Sequence, residues 1–547
     1  MCNHHDPTSR CLIPPHPALQ ARLKDDLERL RENAPDLAPL LHIGLPDRPG
    51  LNDGIIVPGD HFPAGTSLEV VRSTALERAP LRGSVRVVVV LVEFSDRQFD
   101  TRHGANHFEE LFFSRGKVAE GSVREYFSEV SNGEIDVIGE VVGPYRLPRT
   151  LAEYANGASG TGAQEPNART MARHAAEAAN KDVDFKPYDN DGNGFVDAFI
   201  VVHAGAGGET TGSGGDIWSH KWVLANGEYN ADGTRIYAYL TVPEDARIGV
   251  CCHELGHLLF GWPDLYDTDG SSEGLGNWCL MAGGSWNGGG DVPAHPSAWC
   301  KAQQGWVSVA NQTQNGVLTV ADVKDSRTVY RLWKDGAQGN EYFLVENRQQ
   351  KQFDRLLPGG GLLVYHLDDA VASNADERHP KVALLQADGR PDLNQGRNRG
   401  DAGDPFPGSA NNVALTGSTV PSTRSYNDVA TGVALTQISA PGPVMTATVT
   451  VRSGSAAPRR RVRVPRVATT GSGREAVPQN VRDLVLALYE AVSDGPAQPA
   501  GEDHGWRNAV EARLAAVEHA LSAQPDTVMV RGMPIVAARN GGGAYET

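Results

Sequence analysis

The sequence predicts an α+β domain, then an all-β module, then a short helical C-terminal region. Three observations predict this. Up to about residue 312, apolar and β-branched runs alternate with stretches whose apolar residues recur at helical spacing. After Trp306 the chain turns to short strands and turns, ending near Val451. Beyond an Arg/Pro/Ser/Gly-rich linker at 453–478, two apolar stripes return at helical spacing, Arg482–Val492 and Trp506–Leu521.

The elements follow in order. Residues 1–80 form a leader, a candidate propeptide, with a helix over Pro17–Asn33 carrying Leu19, Leu23, Leu27 and Leu30 on one face. Residues 81–312 form the α+β domain. It opens with the strand-like run Val85–Phe94, then a helix from Gly121 to Glu129 with Ser122 as N-cap and Glu125 three residues on. Gly133 ends that helix. Glu134–Val142 alternates as a strand, Thr170–Asn180 is an alanine-rich helix, and Ala198–His203 is a buried strand. Residues 313–452 form the all-β module, with strands at Val317–Val320, Glu341–Glu346, Gly361–His366 and Met445–Val451. Residues 479–547 are the helical region.

Composition excludes several classes. A chain of 547 residues with 40% hydrophobic residues buries a large core and is not disordered overall. A net charge of -17 repels phosphate backbones, so nucleic acid is not the expected ligand. The basic strip Arg459, Arg460, Arg461, Arg463 and Arg466 reads as a solvated strand edge or linker. No apolar run approaches the roughly 20 residues of a membrane span. No basic segment followed by an apolar one occupies the first forty residues, so no secretory signal peptide is read. Six cysteines are too few for a disulfide scaffold, and the pairing of Cys279 and Cys300, with each other or with the Cys251–Cys252 doublet, stays open.

The chemistry centres on Cys252-His253-Glu254-Leu255-Gly256-His257. Histidines four apart stand one turn above each other on one helix face, where both imidazoles reach one zinc ion. Glu254 follows the first ligand and faces the open side of the metal without binding it. Zinc lowers the pKa of its water to about 7, so zinc-bound water can attack a peptide carbonyl, with Glu254 as general base passing the proton to the leaving amine. Gly261 lets the chain turn out of the helix and bring back a third ligand, for which Asp264 is the first candidate and Asp267 the second. Met281, followed by Ala282-Gly283-Gly284, reads as a methionine turn beneath the site. The expected fold is therefore an α+β zincin, metzincin-like, catalytic domain.

Several separated segments carry a more specific resemblance: Ser122–Phe127, Tyr188–Gly205, Asp216–Lys221, His253–Asp267, Gly305-Trp306, Glu341–Arg348 and Asp404–Gly408. Over roughly residues 85 to 450 the chain resembles the immune inhibitor A family of bacterial metallopeptidases, peptidase family M six. The resemblance implies a zincin domain, a zinc ion held by His253 and His257 with Glu254 as general base, protein substrates and secretion. One departure is local. Three residues, Leu258 to Phe260, separate His257 from the glycine, where the usual metzincin pattern has two.

A second metal is expected at Asp189-Asn190-Asp191-Gly192-Asn193-Gly194-Phe195-Val196-Asp197. Oxygen side chains alternate, with glycine sixth, as in loops that wrap calcium. Asp189, Asp191, Asn193 and Asp197 would offer side chains and Phe195 its carbonyl, although Ile200 stands where a full EF-hand has glutamate. In the leader, Cys2, His4, His5 and Cys11 are metal-ligand types, and a leader thiolate could fill the open zinc position and hold the enzyme latent. His220, His295 and Tyr266 are candidate donors to a developing oxyanion. The expected function is a zinc metalloendopeptidase acting on proteins. The alternative is a catalytically weak surface-binding protein that uses the β module for adhesion.

Overall fold

The computed structural model describes residues 11–33, 80–452, 527–530 and 533–536. Chain up to Ser455 forms one compact unit. Its first sheet has six strands in the order β1-β5-β8-β4-β2-β3. These are β1 (Cys11–Leu12), β2 (Gly83–Glu93), β3 (Ile135–Arg146), β4 (Phe199–His203), β5 (His220–Val223) and β8 (Ala238–Pro243). Strands β6 (Tyr229–Ala231) and β7 (Thr234–Ile236) make a separate small hairpin. Strands β3, β2, β4 and β8 run parallel, whereas β5 is antiparallel to β8 and β1 antiparallel to β5.

Strand β2 explains the layering. Val85, Val87, Val89 and Leu91 enter one core; Val88, Val90 and Val92 enter another on the opposite face. Side chains alternate along a strand, so a run apolar at every position belongs to a sheet covered on both sides. Helix α1 (Pro17–Asn33) lies in the leader. Helices α2 (Ala105–Phe113) and α3 (Val123–Val130) cover the first face, the latter closed by a capping box between Ser122 and Glu125. Helices α4 (Leu151–Ala155) and α5 (Ala168–Ala179) cover the second, where buried alanines bring α5 close. Helix α5 starts two residues before the expected Thr170 because the Asn167 side chain accepts the amides of Arg169 and Thr170 as N-cap. After the one-turn α6 (Gly208–Thr211), helix α7 (Ile248–Phe260) runs through the first core with every residue buried. A helix apolar nearly all round belongs inside.

Two further sheets follow. One holds β9 (Ser308–Gln312), β11 (Thr328–Trp333), β12 (Glu341–Arg348), β13 (Gly361–Asp368) and β14 (Val382–Leu384); the other holds β10 (Gly316–Ala321), β15 (Ala434–Thr436) and β16 (Val444–Thr450). Phe343, Val345, Leu362 and Val364 face a third core between the two sheets. Leu344, Leu363, Tyr365 and Leu367, on the opposite face, join the core that holds α7. Of the four strands expected here, the first three extend one or two residues past their expected ends, whereas β16 starts one residue early and stops one short of Val451.

In the separate C-terminal unit, Thr527–Val530 and Met533–Val536 pair as an antiparallel ladder. The region expected to be helical, 479–547, therefore also holds a strand pair. Val528, Val530, Ile535 and Val536 are β-branched and favour strand. The helices expected at 482–492 and 506–521, the linker 453–478 and residues 1–10 and 34–79 lie outside the described residues.

Candidate metal centre

Helix α7 sets His253 and His257 one turn apart with parallel reach. Gly261 ends it in the left-handed region at φ 65°, and the chain returns with Asp264 beside both rings. His253 Nε2 and His257 Nε2 stand 3.0 Å apart, and Asp264 Oδ1 lies 3.2 Å from the first and 3.1 Å from the second. All three side chains are fully buried.

The outer nitrogens fix the tautomers. His253 Nδ1 donates to the Leu280 carbonyl at 3.0 Å and His257 Nδ1 to the Trp262 carbonyl at 2.7 Å. A carbonyl only accepts, so each ring proton sits on Nδ1 and each Nε2 turns a lone pair inward. Two lone pairs and a carboxylate oxygen therefore converge on one point. Tetrahedral zinc with nitrogen and oxygen ligands at about 2.0–2.1 Å holds neighbouring ligands about 3.3 Å apart, which matches this triangle. Asp264 Oδ2 has no hydrogen-bond partner, so the donor set fits a cation. Burial pushes the Asp264 carboxyl up, yet His257 and His253 outweigh it and hold the group below its ordinary range. Burial also lowers His257, against the pull of Asp264.

Glu254 is fully buried, and neither of its oxygens has a hydrogen-bond partner. Burial, then the charges of Asp264 and Glu209, push its carboxyl well above the usual range. Asp267, the second ligand candidate, is engaged elsewhere, accepting from the Asp269 amide and the Ser271 hydroxyl. His220 bonds the Trp218 carbonyl and the Tyr239 hydroxyl, and His295 bonds Glu129. Tyr266 differs, because its buried hydroxyl donates to the Leu12 carbonyl at 2.8 Å. Sequence reasoning missed Trp218 and Trp286, whose indole N–H groups donate to the Ile13 and Pro14 carbonyls. No spacing rule links them to the helix motif.

Met281 is buried beneath α7. Cys251, Cys252, Cys279 and Cys300 are buried thiols outside any disulfide, with Cys279 accepting from the Ser297 amide. In the second candidate site Asp189, Asp191 and Asp197 bring carboxylate oxygens within 4.8 Å of one another. Asp189 Oδ1 is buried there without a partner. Asn193 turns inward to the loop, its Oδ1 accepting the Phe195 amide. The Phe195 ring lies under the Arg235 guanidinium, 3.9 Å away.

Two histidines and an adjoining glutamate on a core helix under a mixed sheet, with an aspartate from the turn after that helix, make a candidate metal centre of the kind metallopeptidases carry. Residues 80–310 match the family described as immune inhibitor A peptidase M6, catalytic domain. Over that stretch the chain is similar to the immune inhibitor A peptidases. It is 32% identical over 270 residues to the pre-pro-metalloprotease PrtV of Vibrio cholerae serotype O1 (strain M66-2), covering 40% of this chain and 29% of that protein. It is 32% identical over 276 residues to immune inhibitor A of Bacillus thuringiensis subsp. alesti, covering 41% of this chain and 40% of that protein. The match thus spans well under half the length of these relatives.

Proposed function

We propose that the chain is a zinc-dependent endopeptidase of zincin architecture that hydrolyses peptide bonds in protein substrates. The observation that carries this reading is the triangle of His253 Nε2, His257 Nε2 and Asp264 Oδ1 beside the unpartnered Glu254 carboxylate. Zinc, when bound there, polarises the scissile carbonyl and makes water acidic enough to react at neutral pH. Glu254 takes the proton from that water and delivers it to the departing amine. Its raised affinity for a proton suits a group that must both accept and release one. Tyr266 donates to the carbonyl oxygen as charge develops on it. Strand β5, whose outer side β1 now occupies, receives the substrate there as an added strand when β1 is displaced.

In this reading residues 81–312 are the catalytic domain and 313–452 a β module that buttresses it. Asp189, Asp191 and Asp197 bind calcium. Kinship with PrtV and immune inhibitor A supports action outside the producing cell, and no helix among the described residues is long and apolar enough to cross a membrane.

Casein cleavage tests the reading with the full chain, the full chain plus a zinc chelator, and Glu254→Ala, with zinc measured in each. Cleavage that the chelator and the substitution both abolish is expected, with zinc retained in Glu254→Ala. Equal rates in all three arms would end the proposal.

A further inference from the structure

We propose that Cys279 and Cys300 close a disulfide as the chain folds in an oxidising compartment, and that this bond clamps the two backbone carbonyls that orient His253 and His257. The bond itself is independent of the peptidase reading. Only its bearing on the metal rests on that reading.

Both residues are thiols here, fully buried in the core that holds α7. One residue touches both sulfurs. The Ser297 amide donates to Cys279 Sγ at 3.3 Å, and the Ser297 hydroxyl donates to Cys300 Sγ at 3.4 Å. Ser297 is also the N-cap of helix α8 (Ala298–Gln303), where its side chain accepts the Cys300 amide. The two backbone segments are joined as well. The Leu280 amide donates to the His295 carbonyl at 3.3 Å, and the Ala294 amide to the Gly284 carbonyl at 2.9 Å. Held in this way, the two thiols share a hydrogen bond with each other. A disulfide closes without backbone movement only where the side chains already converge, as these do. Cys251 and Cys252 are consecutive on a helix and point about 100° apart, so they do not converge on one partner sulfur.

The oxidant is a second disulfide, such as oxidised glutathione, met while the chain folds and before the core seals both sulfurs. One cysteine thiolate attacks a sulfur of that disulfide. The S–S bond breaks, one thiolate leaves and takes up a proton, and a mixed disulfide remains. The other cysteine then attacks the protein sulfur of the mixed disulfide, its proton going to the second leaving thiolate. The chain loses two electrons and two protons, and the oxidant becomes two thiols. The bond formed joins the supports of the two rings. Leu280, next to Cys279, gives its carbonyl to His253 Nδ1 at 3.0 Å. The Cys300 carbonyl accepts the Trp262 indole N–H at 3.1 Å, and Trp262 gives its own carbonyl to His257 Nδ1 at 2.7 Å. Outer partners of this kind are worth about 10–100-fold in metal affinity, so a bond that steadies them both is felt at the metal.

The test makes the full chain once in a reducing and once in an oxidising cell compartment. Free thiols are blocked with iodoacetamide in denaturant, and the chain is cut after acidic residues. Cuts at Glu254, Glu273 and Asp291 place the Cys251–Cys252 pair, Cys279 and Cys300 on separate peptides. The chain from the oxidising compartment should yield the Cys279 and Cys300 peptides as one species that a reductant splits. Alkylation of both residues in that chain, or a bond from either to any other cysteine, would overturn the proposal. This mapping needs no variant, so it stands even if a substituted chain misfolds. A bond that closes a loop restricts the unfolded chain, so reduction should lower the melting midpoint of the oxidised wild type by a few degrees and leave Cys279→Ala and Cys300→Ala unmoved. In chelator competition the reduced chain should bind zinc several-fold more weakly than the oxidised one. Equal zinc affinity would overturn the clamp on the ring supports. A mapped bond in a chain that cleaves no casein in either state would sustain the disulfide and end the peptidase reading, whereas cleavage by a chain with both thiols free in the oxidising compartment would do the reverse.

Discussion

Gly256 lies so close to Met281 that a β-carbon in its place would stand 2.7 Å from the Met281 sulfur and 3.0 Å from the Trp262 ring. Both neighbours are fully buried. Trp262 also supplies the carbonyl that orients His257, so the closeness of this packing bears on the metal ligands.

Gly256→Ala is therefore expected to destabilise the chain despite alanine's better helix propensity. The propensity gain is about 1 kcal/mol, whereas overpacking a filled core costs typically about 1–3 kcal/mol. A shift of Trp262 would turn the His257 ring, so zinc affinity should fall as well. Chelator competition checks this. Unchanged zinc affinity in the variant would mean that Met281 supports the helix without tuning the ligands.

Much of this centre was legible in the sequence because helix geometry alone places His253, Glu254 and His257. The capping box at Ser122 and Glu125 was legible for the same local reason. Asp264 was reachable through Gly261, which reverses the chain at the helix end. What stayed hidden depends on long-range packing. The Leu280 and Trp262 carbonyls that hold the rings carry no side-chain signal. Glu341–Arg348 could be read as a strand, but not why it ends in arginine. Arg348 is buried against Asp354 and bonds the Trp278 carbonyl, tying β12 to the loop beneath the metal. Cys11 was one of four leader residues of ligand type, and spacing could not choose among them. It is the pairing of β1 with β5, 210 residues along the chain, that brings Cys11 near His257 and Asp264.

Asp404 gives a pH dependence. Its carboxylate accepts the Trp278 indole N–H and the Asp401 amide, yet burial, its largest influence, raises the group from 3.8 to about 7. The unfolded chain releases this proton near pH 4 and the folded chain near 7. Between these values the folded state binds more protons, so stability from this group is complete below pH 4 and is lost as pH rises to 7. Asp404→Asn keeps an oxygen for Trp278 and has no proton to lose. The melting temperature of the variant minus that of the wild type should climb between pH 4 and 7. A flat difference would place the Asp404 proton elsewhere.

The carboxylates of Asp189, Asp191 and Asp197 give a calcium dependence. Three negative groups within 4.8 Å repel one another until a cation joins them. Calcium bound only to the folded chain raises the melting midpoint by mass action. Millimolar calcium should raise it in the wild type and less in Asp191→Asn, whose site carries one charge fewer. Equal shifts in both chains would assign the effect to another site.

Tyr266→Phe tests the proposed role of this hydroxyl as a donor to the scissile carbonyl. Burial, followed by the charge of Asp264, holds the Tyr266 hydroxyl proton well beyond the assay range, so the group is a donor at every working pH. In this structure its proton serves the Leu12 carbonyl. During turnover the same proton would serve the scissile carbonyl, and losing one such donor costs about 10²–10³ in kcat. The measurement compares casein cleavage by the wild type and the variant, with zinc content read in both. There kcat should fall by about that factor, with KM and zinc content close to unchanged. A fall in zinc content instead would reduce Tyr266 to a packing neighbour of His253, whose ring centroid lies 6.5 Å from its own.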